Sequence, residues 1–534
     1  MKRSHLSLAA VVASLLLAMP GWSAPAFTAQ ARAAFLNDSA AKLRTSAKVG
    51  EEFWSWLARH EEVRVGLLAS ADPVPPVYAE NLDLMRRAVG PVRADRYAHL
   101  LLAVSLRSTA IDPKSQTALD PAPDNVKAMA AWMKANGVSY LQAIGDKKGT
   151  LAKAGLPATL EKDNGFWGRL PYEAGTYPPR LSQSIPDFVT WVIDHFEQAA
   201  PAGAKQAWPL FPLDKAPYPL LVWYQQTVPR RECDWAWERY WGRIDGQPAG
   251  IIGYGRYTWD YEKPEIKYKD SDWNPNAIVR MWSDGGVCGR LSTMADCFRR
   301  LLALPAQGVG QPGHRAFIAY SFDAKTGRYG VGVGQSIAGL DVTTCGLGLP
   351  TINTFLNGRA VLCYANVAAM NLGLERYQNS QIAALLAKRL TAVESKRELL
   401  DEAVRLNPYH LGAWKELADL AGTSAAAANE LLNRLDSYLF SPDGALALTD
   451  PGLSPTTDFA KLPQAGEPTA MNKVANYGTD IARIVGDALA PEMYQRVLKA
   501  GGDLAGARDL LRAELARRGA KQVPYGPALS MDLA

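Results

Sequence analysis

The sequence predicts an α+β protein, with a small antiparallel core set between mainly helical N- and C-terminal regions. Three observations lead there. Apolar residues recur at helical spacing from residue 27 to about 215, and again after Cys363. Between them the composition turns rich in glycine and aromatics, as in strands and turns. One stretch, 285–340, passes directly from helical to strand periodicity.

A length of 534 residues is beyond the size at which one core stops growing, so about two to four domains are expected. Hydrophobic residues make up 48% and charged residues 21%, which is enough apolar material for large cores. The net charge is only +5, with no lysine- or arginine-rich block, so nucleic acid is excluded as a partner. The division predicted is residues 1–26, 27–217, 218–345 and 346–534.

Residues 1–26 read as a secretory signal peptide. Met1-Lys2-Arg3 is a basic start, LSLAAVVASLLLAMP an apolar run, and Ala24-Pro25-Ala26 or Ala29-Gln30-Ala31 a small-residue cleavage site. The run of about 15 residues is shorter than the ~20 needed to span a bilayer. A secreted or periplasmic protein is expected, with no stable membrane insertion after cleavage. Removal of Lys2 and Arg3 would leave a net charge of +3 (5 − 2). In an oxidising compartment the five cysteines, Cys233, Cys288, Cys297, Cys345 and Cys363, fit two disulfides and one free thiol; the plainer alternative is several buried reduced thiols.

In 27–217, EEFWSWLARHEEVRVGLLA, ENLDLMRRAVG, YAHLLLAVSL, VKAMAAWMKANG and IPDFVTWVIDHFEQAA carry helical apolar spacing. Pro-rich DPVPPV, YEAGTYPPR and PLFPLDKAPYP mark loops. From Tyr218 to Trp282 stand Trp223, Trp235, Trp237, Trp241, Trp259, Trp273 and Trp282. An aromatic core is favoured over an exposed sugar- or peptide-binding platform, because buried aromatics dominate core energetics. After Cys363 come NVAAMNLGLERY, QIAALLAKRLTAVESKRELLDEAVRL and LGAWKELADLA. The piece LDEAVRLNPYHLGAWKELADLAG resembles one tetratricopeptide-like hairpin, a single copy where stacking needs about three.

The chemistry concentrates in DGGVCGRLSTMADCFRRLLALPAQGVGQPGHRAFIAYSF. Leu291, Met294, Phe298, Leu301 and Leu302 follow helical spacing after Gly285-Gly286, so Cys288 falls at a helix start. Unpaired N–H groups and the positive dipole end there stabilise a thiolate and make it a better nucleophile. Cys297, in mid-helix amid apolar neighbours, reads as structural and inert. QGVGQPG reads as a Gly-rich connection to His314, which opens the strand-like run RAFIAYSF. A nucleophilic cysteine needs a base, usually a histidine. His5 lies in the signal segment, while His60, His99, His195 and His410 lie on remote helical segments. A lone histidine opening a strand is usually structural; beside a cysteine so placed it becomes a candidate base.

GGVCGRLSTMADCFRRLLALP followed by QPGHRAFIAY resembles the transglutaminase-like superfamily, the papain-like cysteine enzymes, over roughly residues 280–340. The resemblance implies a helix packed on an antiparallel sheet, Cys288 as nucleophile, His314 as base, and an acid or amide on the next strand. Asp323 lies ~30 Å along the strand from His314 and instead opens a turn, Asp323 to Gly327. If Asp323 pairs with Arg328, Ile337 comes opposite His314 and Gln335 becomes a same-face diagonal neighbour. A one-residue slip would favour Ser336, and Asp341 is the nearest downstream acid. Gln335 is the expected third member. Trp282 packs in the core or lines the oxyanion site.

The G-x-G-x-x-G at 308–313 has no preceding strand, and Pro312 forbids the helix it needs. Gly334-Gln335-Ser336-Ile337-Ala338 lacks the last glycine of a nucleophile elbow. No metal motif occurs and no cofactor is expected. The function implied is an exported cysteine peptidase, amidase or acyl transferase acting on protein or peptide substrates, cell-wall peptides among them. The alternative is a catalytically inactive binding or scaffold protein of the cell envelope, and a third reading is a carbohydrate-binding module on the aromatic segment.

Overall fold

The computed structural model describes residues 27–113, 183–199, 208–209, 211–230, 232–234, 288–311, 314–334, 359–422 and 424–439, with positions 131, 135, 136 and 237. Within them helices surround a three-stranded antiparallel sheet, and one continuous apolar core joins the two. The α+β class read from the sequence holds at this level. The signal segment, the helix expected at VKAMAAWMKANG and the strands expected at GQPAGIIGYGRYTW lie outside the described residues.

The first helices are α1 (Ala29–Ser46), α2 (Glu51–Arg59), α3 (Glu61–Leu68), α4 (Pro76–Val89), α5 (Pro91–Arg96), α6 (Ala98–Ser105) and α7 (Ile185–Phe196). Thr28 caps α1, its hydroxyl accepting the Ala31 N–H at 3.1 Å, so an oxygen meets one of the open amides of the first turn. Ser184 does the same for α7. Phe35, Leu36 and Leu43 of α1 are buried at helical spacing.

EEFWSWLARHEEVRVGLLA forms two helices where the spacing predicts one. His60 leaves helical geometry (φ −111°, ψ 74°) and turns the chain. Its Nε2 lies 2.9 Å from Asp95 Oδ1 on α5, an oxygen that also accepts from Trp56 Nε1. The break is held by partners distant in sequence, which local spacing does not encode.

Residues 218–225 form two buried 3-10 turns, Tyr218–Leu220 and Val222–Gln225. Gly66 of α3 admits them: a Cβ there would stand 2.7 Å from the Tyr218 ring and 2.8 Å from Leu102. Trp223 and Trp237, the two of the seven clustered tryptophans with described side chains, are both buried, in keeping with an aromatic core.

Next comes α8 (Cys288–Leu301), then β1 (Ala306–Gln311), β2 (His314–Asp323) and β3 (Arg328–Gly334), in sheet order β1-β2-β3. The hairpin is as expected: Asp323 pairs with Arg328, and Asp323 Oδ1 accepts the Lys325 N–H at 2.9 Å. Gly327 takes the left-handed conformation (φ +70°) that glycine adopts without strain. QGVGQ corrects the reading as a connection. It is strand β1, running from Ala306 opposite Ala319 to Gln311 opposite His314. Glycine disfavours strands locally, so its pairing with β2 decides the outcome. Gly308 and Gly310 of the false dinucleotide motif therefore lie in a strand, followed by another strand.

The chain continues as α9 (Arg359–Leu372), α10 (Leu374–Arg389), α11 (Val393–Leu406), α12 (Leu411–Ala421) and α13 (Ala425–Leu439). QIAALLAKRLTAVESKRELLDEAVRL is two helices, parted at residues 390–392. The buried residues Ser380, Ala383 and Ala384 of α10 recur 34 positions on as Trp414, Leu417 and Ala418 of α12. That offset equals the length of one tetratricopeptide unit, with α10–α11 and α12–α13 as successive helical pairs, and the piece singled out in the sequence, residues 400–422, falls on α11 and α12. Arg389 fastens these pairs to the N-terminal helices: it donates to Asp72 Oδ1 at 2.7 Å and Asp38 Oδ2 at 2.9 Å, and lies over the Phe35 ring.

Candidate functional site

The backbone brings the first residue of α8 and the first residue of β2 to the same end of the helix–sheet layer. α8 packs on β1 and β2, and the chain reverses at residues 302–305. A buried bond sets the level of helix against strand: Asp296 Oδ2 accepts the Gly308 N–H at 2.9 Å. From that bond the helix has eight residues back to Cys288, ~12 Å, and the strand three residues on to Gln311, ~10 Å. Both runs lead away from the reversal. Gln311 pairs with His314, so the opening of β2 lies at the end of the layer away from the reversal, the end toward which α8 runs back to Cys288.

Cys288 is thus the first residue of α8 and His314 the first of β2, as the spacing predicts. Ile318 and Tyr320 of β2 are buried in the core. Among the described residues the β2–β3 register runs to Phe317 opposite Gly334. Gln335, Ser336, Asp341 and Trp282 lie outside the described residues.

Asp296 and Arg300 form a buried ion pair one helical turn apart, 3.2 Å between Arg300 Nη2 and Asp296 Oδ1. Arg300 Nη1 also donates to the carbonyls of Gln226 at 2.9 Å and Trp223 at 3.4 Å. One carboxylate and one guanidinium therefore join α8, β1 and the 3-10 segment, with the charged atoms hydrogen-bonded as burial requires. The sequence reading missed this pair. The available signal was an Asp and an Arg four apart on a helix otherwise set for burial.

Cys233, Cys297 and Cys363 form no disulfide. Two disulfides need four of the five cysteines, so that expectation is replaced by the buried-thiol alternative. Burial pushes the Cys297 thiol up to about 12, with Asp296 adding to the effect. Its surroundings are more polar than expected, since Arg300 Nη2 lies 3.3 Å from Sγ, but it is protonated and unreactive at neutral pH. Burial also holds Cys233 well above its usual range.

Both sheet edges are closed by side chains at one position each. On β1, the Gly308 N–H goes to Asp296 and its carbonyl accepts from Gln307 Nε2 at 3.0 Å. On β3, Asn371 of α9 takes both backbone groups of Tyr329, each at 2.9 Å. Side chains so placed satisfy groups that would otherwise template another strand.

Among the described residues no cluster of three or more His, Cys, Asp or Glu could hold a metal ion, and no helix is long and apolar enough to cross a membrane. Comparison of the chain with protein-family models, curated proteins and solved structures finds no match.

Proposed function

We propose that the chain is an exported cysteine enzyme with a transglutaminase-like core, acting on amide or peptide bonds of protein or peptide substrates. The observation behind this reading is that α8, which begins at Cys288, packs on β1 and β2, and that β2 begins at His314. A helix start favours thiolate over thiol, and a histidine is the usual base. In the step proposed, His314 accepts the Cys288 proton and the sulfur attacks the carbonyl carbon. A C–S bond forms, the C–N bond breaks, and the amine leaves with the proton from His314. Water or a second amine then attacks the thioester and releases Cys288, giving hydrolysis or acyl transfer.

Carried three residues beyond Gly334, the β2–β3 register would set Ile337 opposite His314 and Gln335 diagonal to it. Gln335 is accordingly the proposed orienting group. Export rests on the basic, apolar and small-residue order of residues 1–26. Cleavage after Ala26 would leave Thr28 to cap α1, whereas cleavage after Ala31 would remove the cap and the first turn.

The test is iodoacetamide modification of the native protein across pH, with the modified cysteine mapped by peptide mass spectrometry. The expected result is rapid modification of Cys288 below pH 7, lost in His314→Ala. An ordinary thiol profile, or a Cys288 disulfide, overturns the enzyme reading. That outcome would favour the second reading, an inactive scaffold of the cell envelope, for which the recurrence of buried positions in the two C-terminal hairpins is the supporting observation.

A further inference from the structure

We infer that Asp296 is a positioning residue for the Cys288–His314 pair, and the inference rests on the enzyme reading above. The nucleophile and the base belong to different elements, so their separation depends on how far α8 has slid along the sheet. Apolar contacts between a helix and a sheet are non-directional and resist sliding weakly. A hydrogen bond fixes a register because it fails when donor and acceptor shift by about an ångström.

Asp296 supplies such a bond. Its Oδ2 accepts from the Gly308 N–H, and in an antiparallel ladder that amide faces away from β2, so the carboxylate takes no partner from the sheet. Three rungs further along β1, Gln311 pairs with His314. The route from nucleophile to base therefore runs from Cys288 down two turns of α8 to Asp296, across to Gly308, and along β1 to His314. The carboxylate is also held from behind. Arg300 Nη2 donates to its Oδ1, and the same guanidinium is anchored on the carbonyls of Trp223 and Gln226. Both side chains are 3% exposed, so solvent neither screens the pair nor competes for it.

A buried ion pair is weak evidence for stability, because an apolar pair of similar volume does as well or better; fixing a register is the better-attested use. The consequence is separable from folding. A helix displaced along the sheet keeps its apolar burial but carries Cys288 away from His314, and the thiol returns to ordinary behaviour.

The experiment uses the full chain and iodoacetamide, with Cys288 followed by peptide mass spectrometry at temperatures where circular dichroism shows every protein folded. Four proteins are compared: wild type, Asp296→Asn, Asp296→Ala/Arg300→Met, and Arg389→Ala as a destabilised control far from the layer. The double variant removes both members of the ion pair together and serves where Asp296→Asn fails to fold. Both Asp296 variants are expected to modify Cys288 about tenfold more slowly at pH 6.5, with the midpoint of the profile moved up by about one unit. Arg389→Ala is expected to melt lower with the wild-type profile. A wild-type profile in the Asp296 variants overturns this inference alone. An ordinary thiol profile in the wild type overturns the enzyme reading and this inference with it.

Discussion

His410 begins α12 by an unusual cap. Its Nδ1 accepts the Ala413 N–H at 3.0 Å, so the proton of the neutral ring sits on Nε2, which has no hydrogen-bond partner among the described residues. Burial lowers its pKa to about 4, and Lys388 adds to the effect. The unfolded chain binds a proton below about 6.5, while the native ring stays neutral down to about 4. Stability from this group is therefore complete above pH 6.5, falls as the pH drops from 6.5 to 4, and is level below that. Between pH 7.5 and pH 5 the loss expected is about 2 kcal/mol by urea unfolding. In His410→Asn, which keeps a capping side chain without a titrating ring, that pH dependence should disappear.

Among the elements, the three-stranded sheet depends on side chains from its flanking helices. Asn371 of α9 replaces a missing neighbour strand at Tyr329, accepting its N–H and donating to its carbonyl. Asn371→Ala leaves both groups partly buried without a partner. The expected cost is about 1–3 kcal/mol, with faster amide exchange at Tyr329. Exchange at the wild-type rate would show that the edge is held by something else. The β2–β3 hairpin was legible because its turn chemistry is local, with Asp323 bonding its own turn and Gly327 supplying the left-handed residue. β1 was not legible, since QGVGQ has no strand preference until β2 lies beside it. The break at His60 was not legible for a related reason, since it depends on Asp95, 35 positions away.

Over the whole molecule, the N-terminal helices and the C-terminal hairpins are joined across more than 300 positions of sequence. Arg389 reaches Asp72 and Asp38, Gln378 Nε2 donates to the Glu62 carbonyl at 2.7 Å, and Arg32 donates to Asn379 at 2.7 Å. Arg389→Ala removes a partly buried pair and leaves two carboxylates without it. A loss of about 1–3 kcal/mol is expected, between the values for exposed and buried pairs, with exchange rising in α10 ahead of the sheet. Equal protection in α10 would mean that the apolar contact alone holds the hairpins in place.

By itself the sequence determined the features that arise from neighbours in the chain. These are the helical stretches, the helix start at Cys288, the strand start at His314 and the pairing of Asp323 with Arg328. Apolar period, glycine position and turn chemistry act over a few residues, so they can be read without knowing what packs where. The tertiary structure alone decided that QGVGQ is a strand, that Cys233, Cys297 and Cys363 form no disulfide, and that the charge of Asp296 belongs inside. Each of those depends on a partner from another part of the chain, as Asp296 does on the Gly308 N–H, and local spacing carries no record of that partner.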